Sequence, residues 1–141
     1  MLSQKRRYVE QAATVVLAAV ALYMLTELFY FGTAESSKKT DKAHAMTGGN
    51  VENGRTAIIG KGCGACHQIP GIVSARGQVG PTLQGVATRA MIGGVVPNTP
   101  DNFVLWLENP RALNAKTAMP ALGITRKEAE DIAAYLYARS G

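Results

Sequence analysis

The segment Cys63-Gly64-Ala65-Cys66-His67 constrains this chain more than any other. Two cysteines separated by two residues and followed at once by histidine read as a covalent attachment site for haem c. The spacing follows from the chemistry. Two thiols add to the two vinyl groups on one edge of a porphyrin, and the short Gly-Ala insert lets one turn of backbone reach both. The next side chain, His67, then lies under the ring as the proximal iron ligand. Cys63 and Cys66 are the only cysteines in the sequence, so none remains for a disulfide.

Other chemistries fit these five residues poorly. A redox-active dithiol sits at the start of a helix after a strand, whereas residues 51–61 read as helical and no strand series follows. A structural zinc site needs four ligands. Cys63, Cys66 and His67 supply three, and the remaining histidine, His44, falls in a polar stretch.

The chain has 141 residues, enough for one compact domain, and 47% of them are hydrophobic. The apolar excess lies at the N-terminus. Lys5, Arg6 and Arg7 precede a run from Ala12 to Phe31, long enough to cross a bilayer core of roughly 30 Å as a helix. The basic flank predicts a cytoplasmic N-terminus. Tyr8 at one end and Phe29, Tyr30 and Phe31 at the other are placed like interfacial anchors. A cleaved leader shares the basic start but has a shorter core and a small-residue cleavage site. Gly32-Thr33-Ala34, directly behind three bulky aromatics, makes a poor one. An uncleaved anchor over 1–31 is therefore expected, with Thr26 and Glu27 as its polar blemishes.

Residues 32–50 are rich in Ser, Lys, Thr, Gly and Ala without apolar periodicity, and are expected to form a flexible or partner-bound tether. His44 and Met46 lie in it and are expected to be bystanders. The globular part is expected over 51–141. Val51–Gly60 reads as a helix whose Gly54 suits the close approach of another helix. Residues 71–85 read as a glycine-rich loop. A short helix is expected from Asp101 to Glu108, capped by Thr99, begun by Pro100 and stopped at Asn109-Pro110. Thr125-Arg126-Lys127-Glu128 is a capping box. It opens a last helix with Ala129, Ile132, Ala133, Leu136 and Tyr137 at helical spacing. No period-two alternation is sustained, so the fold class is all-α. Bound haem would complete so small a core.

His67 fills one axial position of the iron, and the other decides between electron carriage and ligand binding. Met119, in Ala118-Met119-Pro120, is the expected second ligand. It lies on an irregular stretch between two helices, and the adjacent proline stiffens it. Thioether sulfur favours ferrous iron and raises the reduction potential. Met91, beside Gly93-Gly94, and an open or otherwise-ligated site are the alternatives.

With these residues in place, the chain resembles a class I cytochrome c, with three to five short helices around one haem c, joined to a single membrane anchor. Gly80-Pro81-Thr82-Leu83 resembles that family's Gly-Pro-x-Leu segment, and Met119-Pro120 resembles its methionine loop. The resemblance implies that the Pro81 carbonyl accepts a hydrogen bond from the His67 imidazole and orients it. The run from Val79 to Arg89, with Pro97–Asn102, Trp106, Asn109-Pro110 and Met119-Pro120, is similar to the cytochrome c domain fused to subunit II of caa3-type oxidases. That subunit also carries a cupredoxin domain with a dinuclear copper centre. This chain has no second cysteine pair and one apolar segment, so it is not expected to be that subunit. Trp106, through its indole N–H, and Arg89 are the candidate partners of the haem propionates, with Arg76 and Arg111 as further cations.

The expected function is one-electron transfer at the outer face of a bacterial inner membrane. The donor would be a quinol-oxidising complex and the acceptor a haem-copper terminal oxidase, with the chain mobile or a fixed subunit. The formal charge is +5, about +4 of it beyond the anchor, which suits docking to acidic partners. The competing readings are the cytochrome c subunit of a nitric oxide reductase, a haem enzyme with a labile sixth ligand, and an architectural subunit. The basic residues are dispersed, so nucleic-acid binding is not expected, nor is a small-molecule substrate.

Overall fold

The computed structural model describes residues 2–140; the expected ends of the chain's first and last segments, Met1 and Gly141, lie outside them. Helix α1 runs Leu2–Thr47, α2 Val51–Gly60, α3 Pro100–Glu108, α4 Pro110–Leu113 and α5 Arg126–Ala138. A two-residue hairpin, β1 (Met91–Ile92) against β2 (Val96–Pro97), pairs Met91 with Pro97 and Ile92 with Val96. The fold is mostly helical, as expected, with single 3₁₀ turns at Cys63–Ala65 and Val86–Thr88.

The chain divides into two units that part between Ser37 and Lys38. The first is helical, and its apolar side chains face outward: Val15, Leu17, Leu25 and Leu28 are each more than 60% exposed. That is the surface of a helix that meets lipid or another protein rather than a core of its own. Threonines interrupt it at little cost, because the Thr14, Thr26 and Thr33 hydroxyls donate to the carbonyls of Gln11, Tyr23 and Tyr30.

Residues 32–50, expected as a flexible or partner-bound tether, are helical as far as Thr47. The absence of an apolar stripe misled. Ala, Glu, Lys and Met are strong helix formers, and Glu35 and Lys39 stand one turn apart. The end of this stretch is built into the second unit. Ala43 is 2% exposed. Gly49 N–H donates to the Thr47 hydroxyl, and the Asn50 N–H donates to the buried Asp131 carboxylate at 2.7 Å. Lys127 of α5 closes the joint, donating to Asp131 at 2.9 Å and to the Gly48 carbonyl at 3.0 Å. His44 Nδ1 donates to the Gly49 carbonyl at 2.8 Å, while Met46 is exposed.

The second unit is organised around the crossing of α2 and α5. Asn50 caps α2 by accepting from Glu52 and Asn53 N–H. Gly54 is the contact point: a Cβ there would meet the Asp131 carbonyl and lie 3.0 Å from the Tyr135 Cβ. The glycine is what lets the two backbones touch. Thr125 and Glu128 form the capping box of α5, and its buried face carries Ala129, Ile132, Ala133, Tyr135 and Leu136. Helix α3 opens as expected, with Thr99 accepting from Asn102 N–H. Asn109-Pro110 ends it and starts α4, because Asn109 caps that turn as well. Phe103 stacks on Tyr137 at 5.5 Å between centroids, tying α3 to α5.

Candidate functional site

A cavity of about 310 Å³ opens among these elements. Its walls are apolar: Ile58 from α2, Leu83 and Val86 from the loop, Phe103 and Leu107 from α3, and Ile132 and Leu136 from α5. Helices α2, α3 and α5 thus each give one face to the cavity. Cys63, Cys66, His67, Pro81, Arg89, Trp106 and Met119, the residues singled out in the sequence, all line it. Arg76 and Arg111 do not.

The cysteines lie at the end of α2. Lys61 closes that helix, and Gly62 turns the chain in left-handed backbone into the 3₁₀ turn Cys63–Ala65. Both thiols are free and half-buried. Burial pushes the Cys63 thiol up from its ordinary value, outweighing the opposing pull of a backbone hydrogen bond and Lys61.

The His67 ring is fixed from one side. Its Nδ1 lies 2.7 Å from the Pro81 carbonyl. A carbonyl only accepts, so Nδ1 carries the proton and Nε2 keeps its lone pair. Gly80 lies against the same ring, with no room for a Cβ. The loop that presents Pro81 is braced in turn. Gly80 N–H donates to Cys66 O and Leu83 N–H to Gln68 O, both at 2.8 Å. The Arg89 guanidinium donates to the carbonyls of Thr82 and Gln84. Arg89 therefore spends at least part of its donor set on the loop rather than on the cavity.

Met119 is half-buried and packs against the core. Its N–H donates to the Thr117 hydroxyl at 3.2 Å, and Thr117 N–H donates to Asn114 O at 3.0 Å. These short-range turns, besides Pro120, shape the methionine loop. Trp106 is 8% exposed, and its ring edge rests on the glycine of the hairpin, Gly93. Its indole N–H has no hydrogen-bond partner among the described residues, so it is a donor available to a bound group. Met91 also lines the cavity, at its exposed rim.

Sequence reasoning did not single out Thr117, and it quoted Gly80 and Asn98 within motifs without giving either a role. Asn98 Nδ2 donates to Val86 O and Arg89 O, each at 2.8 Å, and clamps the cavity wall. The signal for Thr117 was its place two residues before Met119, the spacing of a hydroxyl turn. Asn98 had no local signal, because its partners are nine and twelve residues away.

The donor set fits an iron porphyrin. One apolar cavity is lined by two thiols, an imidazole whose Nε2 has no hydrogen-bond partner among the described residues, a thioether and an indole. No curated protein and no solved structure matches the chain. The cytochrome c family model matches residues 51–139, a stretch that holds every cavity residue named above. On that match the chain belongs to the cytochrome c family, and with it go a haem c bound covalently, for which Cys63 and Cys66 have the required spacing, and haem-based electron transfer.

Proposed function

We propose that the chain is a membrane-anchored, single-haem electron carrier of a respiratory chain. It takes electrons from a quinol-oxidising complex and delivers them to a haem-copper terminal oxidase. The observation that carries this reading is that His67 and Met119 line one cavity, with the imidazole already oriented by Pro81.

In this reading Cys63 and Cys66 would hold the porphyrin edge, and His67 Nε2 and the Met119 sulfur would bind its iron. Bound haem supplies an iron that gains and loses one electron. The protein's part would be to keep the imidazole and the thioether in place through that change. The Pro81 carbonyl holds the imidazole and makes it a stronger donor. Thr117 and Pro120 hold the thioether. The apolar wall excludes water, and Trp106 and Arg89 meet the propionates.

Residues Gln4–Thr47 contain the one helix among the described residues that is long and apolar enough to cross a membrane. With Lys5, Arg6 and Arg7 on the cytoplasmic side, the haem domain lies on the outer side of a bacterial inner membrane. Anchoring holds it at high local concentration near membrane partners. Helix α5 neutralises much of its own charge, since Arg126 pairs with Glu108 and Glu130, and Lys127 with Asp131. Lys116, in the methionine loop, has no ion pair among the described residues. That distribution suits acidic partners.

The test is the absorption spectrum of the oxidised holoprotein in mild detergent, with and without Met119→Ala. Low-spin iron with a methionine charge-transfer band that disappears in the variant is the expected result. A high-spin spectrum, or a band indifferent to Met119, would overturn the axial assignment and favour a haem enzyme with an open site. Identification of the subunits that co-purify tests the donor and acceptor.

A further inference from the structure

The structure leaves one polar face of α1 without a use. Tyr23, Glu27 and Tyr30 are spaced four and three residues apart, which puts them on a single helix face. Tyr23 and Tyr30 are 62% and 72% exposed, and Glu27 is exposed with them. The neighbouring threonines need nothing from outside, because Thr26 and Thr33 donate to carbonyls of their own helix. Glu27 and the two tyrosine hydroxyls make no hydrogen bond or ion pair among the described residues.

In the membrane span read above, on which this inference rests, these groups lie within the apolar run. Glu27 is about 6 Å inside its outer end at Phe31, and Tyr23 about 12 Å inside. A carboxylate at such depth is costly against lipid, and such groups turn to protein or to a water-filled cavity, where they pair with one another or with backbone carbonyls. This chain has no cation within reach of Glu27. The nearest cation along the sequence is Lys38, about 16 Å farther along the axis.

We propose that the Tyr23–Glu27–Tyr30 face is the contact surface for a transmembrane helix of a partner membrane protein that carries a lysine or arginine at the depth of Glu27. Charge chooses this occupant over a second copy of the chain, which would set carboxylate against carboxylate. The tyrosine hydroxyls flank the ion pair and supply hydrogen bonds in a medium that offers no others. The opposite face, with Leu25 and Phe29, stays with lipid. The anchor thereby selects its complex as well as its membrane.

The experiment uses the full-length holoprotein in its native membranes. A photo-crosslinking phenylalanine analogue is placed at position 23 or 30, with one at position 25 as the control. The expected result is a cross-link from 23 and 30, but not from 25, to a membrane protein with a lysine or arginine in the attached helix. Glu27→Lys should abolish it, and changing that partner cation to glutamate should restore it, with the haem spectrum unchanged throughout. Cross-links to a second copy, cross-links from all three positions alike, indifference to Glu27→Lys, or no protein cross-link would each overturn the proposal. Alkaline carbonate extraction of the unaltered chain separates the two readings. Release from the membrane sinks the span itself, whereas retention without a cross-link sinks only the docking face.

Discussion

Gly80 lies flat against the imidazole of His67, and the residue after it, Pro81, accepts that imidazole's Nδ1–H at 2.7 Å. One dipeptide thus presses on the ring and orients it. A methyl group at position 80 would come within 2.7 Å of Nδ1 and 2.9 Å of Nε2. Gly80→Ala is therefore expected to displace the imidazole, weaken the axial bond and cost about 1–3 kcal/mol by overpacking. Gly60→Ala is the control, because nothing lies within 4 Å of a Cβ there, and it should be neutral or gain about 0.5 kcal/mol. Thermal melting followed at the haem absorption compares them. Equal melts would refute the role given to Gly80.

The parts of this fold legible in the sequence are those whose signal is local. The attachment motif, the Thr99 and Thr125 caps, the Pro100 start and the helical spacing of α5 each lie within one or two turns of chain. The helix across residues 32–47 carries no amphipathic spacing to mark it. That stretch buries only a few side chains, such as Ala43, and takes its helicity from propensity and charge spacing. The Asn98 clamp and the Asp131 joint were invisible for a different reason. Asn98 reaches carbonyls nine and twelve residues back across the hairpin segment, and Asp131 meets Asn50 only where α5 crosses the start of α2, so neither is marked by its own neighbours in the sequence.

That crossing depends on Gly54. A Cβ at this position would meet the Asp131 backbone, which has no freedom to move aside within α5. Gly54→Ala, which favours an isolated helix by about 1 kcal/mol, should here destabilise the domain by about 3 kcal/mol. Denaturant unfolding of the holoprotein provides the measurement. A stabilised variant would show that the helices can separate without loss.

Asp131 is 5% exposed and accepts from Asn50 N–H and Lys127 Nζ. Asp131→Ala leaves that N–H without its acceptor and should cost about 2 kcal/mol. Asp131→Asn keeps an oxygen for Asn50 and loses the ion pair with a largely exposed lysine, so it should cost less, about 1 kcal/mol. The order alanine worse than asparagine is the diagnostic. Equal losses would place the interaction in the charge alone.

Blocking haem attachment with Cys63→Ala and Cys66→Ala should leave the second unit poorly folded. Ile58, Val86, Phe103, Leu107, Ile132 and Leu136 all line a cavity of about 310 Å³, and without haem to fill it they lose packing partners on that side. Circular dichroism of the haem-free domain should show reduced helicity and a broad melt. A cooperative, fully helical melt would mean that the polypeptide core suffices.

Alkaline stability should depend on Tyr137. Its ring stacks on Phe103, its hydroxyl donates to Asn98 Oδ1 at 3.2 Å, and burial pushes its phenol up to about 12. An unfolded tyrosine ionises near pH 10. Between these values the unfolded chain releases a proton that the folded chain keeps, so the unfolded state gains with rising pH. The contribution of Tyr137 is thus complete below about pH 10 and drains away as pH approaches about 12. Tyr137→Phe lacks the titration but also the bond to Asn98, and should start about 1 kcal/mol less stable at neutral pH. Denaturant unfolding of both proteins from about pH 8 to 11 should show their curves converging as the wild type loses ground. Parallel curves would mean that the phenol titrates alike in both states, and that its burial in the folded domain is incomplete.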